Sequence, residues 1–143
     1  MRVLGVYGSL RPASLTGTLV DYALTAAGQR GAEVRKCDLR ELSLPMFEDD
    51  ADYASDAVHQ QVTELVRWAD GFLVGSPEYH GSMSGALKNW FDHYYHEFAG
   101  KCFGLVAAAG IIRPDGLRPN LECLGPRYSA ISNSDGVRKH DRP

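Results

Sequence analysis

The chain has 143 residues, 44% of them hydrophobic, and a formal net charge of −3 at pH 7, which suits one domain with one core. This weakly acidic balance gives no electrostatic basis for binding nucleic acid or an anionic membrane, and no apolar run approaches the roughly 20 residues that cross a bilayer. The three cysteines are odd in number and lack a C-x-x-C spacing. We therefore expect a cytoplasmic protein with no disulfide framework and no metal site.

Strand-like and helix-like patterns alternate along the first 110 residues. In chain order they predict a strand at Val3–Tyr7, a helix from about Ser14 that Gly31 ends, a strand at Val34–Leu39, a helix at Asp56–Ala69 with Asp56 as its cap, a strand at Gly71–Gly75, a helix from about Ser84 to Tyr95 and a strand at Cys102–Ala107. On the first helix the predicted apolar face comprises Leu15, Leu19, Val20, Tyr22, Ala23 and Ala26. The alternation predicts an α/β fold, a doubly wound parallel sheet in three α/β/α layers.

The pattern breaks after Gly110. The remaining segment holds four of the seven prolines of the chain and keeps neither a helix nor a strand period. We therefore expect one ligand-binding domain at residues 1–110 and an atypical or truncated C-terminal part at residues 111–143, which is not the native continuation of the fold. A four-stranded sheet would then leave Cys102–Ala107 as an uncovered edge.

The loop after the first strand has the composition of a phosphate site. It places Ser9, Arg11, Ser14 and Thr16 directly before or at the start of a helix, whose free N–H groups favour an anion. Hydroxyl groups and a guanidinium add donors to phosphate oxygens. The alternative interpretation is that the two serines are turn and cap residues and that Arg11 is solvated. The segment contains neither G-x-G-x-x-G nor G-x-x-x-x-G-K-[ST], which argues against a dinucleotide fingerprint and a P-loop.

The loop after the third strand suits a flat ligand. Pro77 stiffens the exit from the strand, and Gly81 allows the backbone to approach a ring closely. Tyr79 and His80 can pack beside such a ring. Their alternative interpretations are a half-buried surface tyrosine and an ordinary loop histidine.

Two segments carry a family resemblance. The sequence G-S-L-R-P-A-S after the first strand and S-P-E-Y-H-G-S-M-S-G-A-L-K-N-W-F-D after the third resemble the NADPH-dependent FMN reductases, flavodoxin-like proteins that include quinone, azo-dye, chromate and flavin reductases. That family commonly has asparagine where His80 stands and proline where Met83 or Ser84 stands. The resemblance implies that the FMN phosphate is held by Ser9, Arg11, Ser14 and Thr16. It implies that the isoalloxazine is lined by Pro77, Glu78, Tyr79, His80, Gly81 and Ser82.

The resemblance also implies an activity. Hydride would pass from NADPH or NADH through FMN to a small-molecule acceptor such as a quinone, a flavin, an azo dye or a metal oxyanion, and no catalytic side chain is assigned. The alternatives are a flavodoxin-like electron carrier without turnover and a cofactor-free product. A homodimer or homotetramer is implied, with Trp90, Tyr94 and Tyr95 as interface candidates, and core packing is the alternative explanation of their spacing. The third flavin loop of the family is not matched after Gly110.

Overall fold

A computed structural model describes residues 1–107 and 128–132 of the chain. Its strands are β1 (Arg2–Tyr7), β2 (Glu33–Asp38), β3 (Gly71–Ser76), β4 (Cys102–Ala107) and β5 (Tyr128–Ser132). Its helices are α1 (Leu15–Gln29), α2 (Ala57–Trp68) and α3 (Gly85–His93), followed by a short 3-10 helix at His96–Phe98. Within the described ranges, no helix has the length and apolar character needed to cross a bilayer.

The five strands form one parallel sheet in the order β2-β1-β3-β4-β5. Helix α1 covers one face, whereas α2 and α3 pack against the other. This is the strand order of the flavodoxin-like fold, so the predicted fold class is confirmed. The chain reverses its direction of travel across the sheet between β1 and β3, and the crevice beyond the carboxyl ends of these strands is where such folds bind ligands.

The fifth strand corrects one expectation. Residues Tyr128–Ser132 pair in parallel with β4, from Phe103 opposite Tyr128 to Ala107 opposite Ser132. The prediction of a four-stranded sheet with β4 as an open edge was therefore wrong. A segment reading Y-S-A-I-S has little local strand signal, and pairing with a buried neighbour determines its conformation. The boundary proposed at residue 110 stays a prediction.

The larger core lies between the sheet and helices α2 and α3. It is rich in aromatic rings, and Phe72 stacks on Phe103 with ring centroids 4.7 Å apart. Trp90 and Tyr94 belong to this core, with exposed fractions of 0% and 2%. Their suggested role in a subunit interface is therefore replaced by a role in packing, whereas Tyr95 is 74% exposed.

Helix α1 lies close against the sheet because glycines face it. A Cβ atom added to Gly75 would lie 2.4 Å from a methyl group of Val20, and one added to Gly5 would lie 2.5 Å from a methyl group of Leu24. The buried residues of the helix are Thr16, Val20 and Leu24. The predicted face was partly wrong, since Leu15 is 76% and Tyr22 is 78% exposed. The face of the helix that meets the sheet is therefore the one that packs closely on Gly5 and Gly75.

The loop between β2 and α2 is fastened to α3. The side-chain amide of Asn89 donates to the Pro45 carbonyl and accepts from the Phe47 N–H, both at 2.8 Å. Nε2 of His93 lies 2.9 Å from the same Pro45 carbonyl, which fixes the proton on that nitrogen. Residues 48–52 of this loop are mostly acidic. The backbone directly before them is held in place by these bonds to α3.

Candidate functional site

A cleft of about 200 Å³ opens at the carboxyl ends of β1 and β2. Its lining residues are Tyr7, Ser9, Arg11, Pro12, Ala13, Ser14, Gly17, Thr18, Asp21, Asp38 and Arg40. Three of the predicted phosphate residues, Ser9, Arg11 and Ser14, thus lie on one cleft. Thr16 does not line it, because its buried side chain lies against β3 near Gly75.

The start of α1 supplies donors at this cleft. The Ser14 hydroxyl caps the helix by accepting from the Gly17 N–H at 3.1 Å. The N–H groups of Leu15 and Thr16 have no hydrogen-bond partner among the described residues. Free N–H groups at a helix start carry a partial positive charge and favour an anion. The cap also means that the Ser14 hydroxyl already has a structural role.

The β1–α1 loop packs closely against β3. The Gly8 N–H donates to the Gly75 carbonyl at 2.8 Å, and a Cβ atom at Gly8 would meet that same oxygen at 2.8 Å. The next residue, Ser9, is buried, and its hydroxyl oxygen lies 3.4 Å from the Arg11 N–H. The backbone of the loop is therefore held in place, while the Arg11 side chain is exposed.

The far wall of the cleft carries charged residues that the sequence analysis missed. The Tyr7 hydroxyl donates to Asp21 at 2.7 Å, and the ammonium of Lys36 donates to the same oxygen. Asp38 accepts from the backbone N–H and the guanidinium of Arg40 at 2.9 and 3.0 Å. Tyr7 and Asp38 lie at the ends of neighbouring parallel strands. The order of the strands is therefore the signal that could have identified them.

The contacts within this wall shift the pKa values of Tyr7 and Asp21. Burial, and then the hydrogen bond to Asp21, raise the pKa of Tyr7, so its hydroxyl stays protonated. The hydrogen bond from Lys36 lowers the pKa of Asp21, which keeps this carboxylate charged. The wall therefore combines a neutral hydroxyl donor with a carboxylate that forms an ion pair with Lys36.

The loop after β3 contains a tight two-residue turn. The N–H and C=O groups of Tyr79 bond the C=O and N–H of Ser82 at 2.9 and 3.0 Å. Both central residues have positive φ, 52° at His80 and 76° at Gly81. Positive φ at both positions is the signature of a type I′ turn. The turn exposes the Tyr79 and His80 side chains, and Pro77, Glu78 and Ser82 beside it are half-buried.

The Ser84 hydroxyl joins this loop to the first one, and the Ser76 hydroxyl holds Ser84 in place. The Ser84 hydroxyl donates to the Gly8 carbonyl at 2.5 Å and accepts from the Leu87 N–H, which caps α3. The Ser84 N–H in turn donates to the hydroxyl of Ser76 at 3.0 Å. Both serines are buried. The residues predicted to face a ring therefore lie at the same edge of the sheet as the cleft, although they do not line it. The third predicted loop lies outside the described residues.

The fold and the two linked loops at the carboxyl ends of the strands define a flavodoxin-like protein. A family model for NADPH-dependent FMN reductases matches residues 1–120, and the chain belongs to this family. The resemblance drawn from the two loop segments is therefore confirmed.

Individual proteins agree with this assignment. An FMN-dependent NADPH-azoreductase of Staphylococcus saprophyticus is 34% identical, with an alignment that covers 99% of this chain and 78% of that protein. The crystal structure of an NADH:FMN oxidoreductase (EMOB, apo form) matches with a TM-score of 0.72 and 25% identity over 92% of this chain and 74% of that one.

Other relatives are much longer than the region they share with this chain. The NADPH-dependent FMN reductase ArsH of Rhizobium meliloti is 38% identical over 91 residues, which are 64% of this chain and 36% of that protein. The chain likewise spans 38% of the ArsH of Shigella flexneri.

Proposed function

We propose that the chain binds FMN and acts as an NAD(P)H-dependent oxidoreductase toward a small-molecule acceptor of the quinone, flavin, azo-dye or metal-oxyanion type. The observation that carries the proposal is the cleft at the start of α1, where Ser9, Arg11 and Ser14 come together. Membership in the FMN reductase family supports the assignment of the ligand.

The residues present fit a phosphate monoester. Each contributes a donor or a positive charge: hydroxyls at Ser9 and Ser14, a guanidinium at Arg11, and the N–H groups at the start of α1, including that of Thr16. At Gly8 the backbone passes so close to β3 that a side chain has no room. The cleft, at about 200 Å³, suits the phosphate end of a nucleotide rather than a whole flavin.

The ring of the cofactor is assigned to the second loop. Pro77, Glu78, Tyr79, His80, Gly81 and Ser82 would line it, with backbone groups of the turn as donors and Tyr79 as an aromatic neighbour. The chemistry that FMN would supply when bound there is the transfer of electrons from a reduced nicotinamide to the acceptor. The residues of the chain would bind and orient the cofactor, and no side chain is assigned a proton-transfer role.

Three further assignments belong to this proposal. Residues 1–110 carry the FMN-binding domain, the protein is cytoplasmic, and it works as a homodimer or homotetramer. The exposed Tyr95 just after α3 is the candidate for the subunit contact.

Two measurements test the proposal. The apo-protein is titrated with FMN and with riboflavin by flavin fluorescence, and FMN should bind more tightly because the phosphate anchors it. The FMN-loaded protein should then oxidise NADPH or NADH in the presence of a quinone. Equal affinity for the two flavins would reject the phosphate cleft. Tight FMN binding without turnover would indicate an electron carrier instead.

A further inference from the structure

The phosphate cleft contains a feature that opposes its proposed ligand. Asp21, in the second turn of α1, forms part of its wall together with Tyr7 and Ser9. Its carboxylate is charged at neutral pH, and the hydrogen bond from Lys36 lowers its pKa further. A bare carboxylate beside a phosphate would repel it and weaken binding.

The repulsion is offset by a residue outside the cleft. Lys36 lies in β2, opposite Gly5 of β1, and its ammonium donates to Oδ1 of Asp21 across to α1. The Tyr7 hydroxyl donates to the same Oδ1 at 2.7 Å. The ammonium also lies 5.8 Å from the centroid of the Tyr7 ring. Three elements, β1, β2 and α1, thus meet at one carboxylate oxygen.

The second carboxylate of the wall is neutralised in the same manner. Asp38 forms a two-point contact with Arg40, through the backbone N–H and the guanidinium. Among the described residues that line the cleft, Arg11 is then the cation with no carboxylate partner. The pairing of both carboxylates leaves the charge of Arg11 available for an anion.

We propose that Lys36 is a positioning residue for the phosphate: by holding Asp21 in an ion pair, it makes the cleft accept a phosphate monoester. The inference rests on the proposed function. Asp21 has a structural role at this position, since it accepts from the partly buried Tyr7 hydroxyl and ties α1 to β2. Lys36 does not touch the ligand and acts through Asp21.

The test measures flavin affinity rather than activity. Apo-protein variants are titrated with FMN and with riboflavin, and flavin fluorescence is recorded. Lys36→Met should weaken FMN by about three- to tenfold, the scale of one unpaired charge near a phosphate in a solvated site. Riboflavin, which lacks the phosphate, should keep its affinity. The FMN effect should shrink at about 1 M salt, where the screening length is only about 3 Å.

Two variants separate charge from structure. Asp21→Asn in the Lys36→Met background removes the exposed carboxylate and should restore most of the FMN affinity. Lys36→Arg keeps the cation and should leave FMN binding within about twofold of the unmodified protein.

A matched control is the neighbouring residue on the same strand. Arg35 is also a β2 cation in an ion pair, with Glu33, but it lies over Trp68 with 4.3 Å between the guanidinium carbon and the ring centroid, away from the cleft. Arg35→Met should therefore not change the ratio of FMN to riboflavin affinity. Thermal unfolding of each variant reports whether it folds.

The outcomes are distinct. Loss of FMN and riboflavin binding together in Lys36→Met, without rescue by Asp21→Asn, assigns Lys36 a merely structural role and overturns the inference. Unchanged FMN affinity in folded Lys36→Met overturns it as well. If the unmodified protein binds FMN no more tightly than riboflavin, the proposed function fails first and the inference falls with it.

Discussion

The imidazole rings of His59 on α2 and His93 on α3 lie with their centroids 5.1 Å apart. His59 also stacks against Tyr53 and Tyr94, at 5.0 and 5.8 Å. Burial, and then the neighbouring His93, lower the pKa of His59. In the unfolded chain His59 titrates near pH 6.5, so below that pH the unfolded state binds more protons than the folded state. The stability that neutral His59 contributes is therefore present above pH 6.5 and is lost as the pH falls.

We accordingly expect the free energy of unfolding to decrease between about pH 7.5 and pH 5.5. The variant His59→Phe keeps a ring in the stack but cannot be protonated, so its pH dependence should be shallower. Urea unfolding at the two pH values measures the free energy of unfolding of the unmodified protein and of the variant. His96→Gln removes an exposed histidine and should retain the slope of the unmodified protein. Identical slopes for His59→Phe and the unmodified protein would contradict the assignment.

A second prediction concerns the exposed guanidinium at the cleft. Arg11→Ala should weaken FMN binding by about 1.5–3 kcal/mol, the scale of a hydrogen bond to a charged group. Isothermal titration measures the change. Arg30 at the far end of α1 is the control, since its guanidinium bonds the Ala26 carbonyl away from the cleft. If Arg11→Ala and Arg30→Ala bind FMN equally well, Arg11 is a solvated surface residue.

The turn at Tyr79–Ser82 gives a third prediction. His80 adopts a φ of 52°, a conformation that asparagine tolerates better than most residues. His80→Asn should raise the free energy of unfolding by about 0.5 kcal/mol. Gly81→Ala should lower it by about 1 kcal/mol, because φ is 76° there although no atom lies within 4 Å of the added methyl group. Chemical denaturation of both variants checks these signs, and a destabilised His80→Asn would show that the histidine makes a contact of its own.

The close approach of the two loops leads to a fourth prediction. A methyl group at Gly8 would meet the Gly75 carbonyl at 2.8 Å and the Leu87 Cβ at 3.0 Å, neither of which can move cheaply. Gly8→Ala should therefore cost about 1–3 kcal/mol of stability and weaken FMN binding. Gly85→Ala adds the same methyl group where no atom lies within 4 Å and should be neutral or stabilising. Equal stabilities of the two variants, measured by thermal unfolding, would refute this steric argument.

Local signals in the sequence predicted much of the fold. The bounds of β4 were predicted as Cys102–Ala107 and are confirmed, and Asp56 caps α2 by accepting from the His59 N–H. Buried parallel strands and capped helices have strong local patterns, so they can be recognised without tertiary information. β5 could not be recognised in this way, because its conformation depends on pairing with β4.

The cleft was predictable only in part. Ser9, Arg11 and Ser14 lie within six residues of one another in the sequence, so one loop identified them. Asp38 and Asp21 reach the same cleft from other elements, and strand order together with the rotation of α1 brings them there. The face of α1 that meets the sheet packs on glycines of β1 and β3, and the apolar period of the helix alone did not identify that face.

The Ser84 hydroxyl, bonded to the Gly8 carbonyl, links the two loops that are proposed to bind FMN, so we expect ligand binding at one loop to affect the other. A ligand fragment that immobilises one loop removes part of the entropic cost of immobilising the other. Inorganic phosphate should then increase the affinity for riboflavin, and riboflavin should increase the affinity for phosphate by the same factor, because such coupling is reciprocal. The covalent bond between the two halves of FMN would then add to this expected cooperativity.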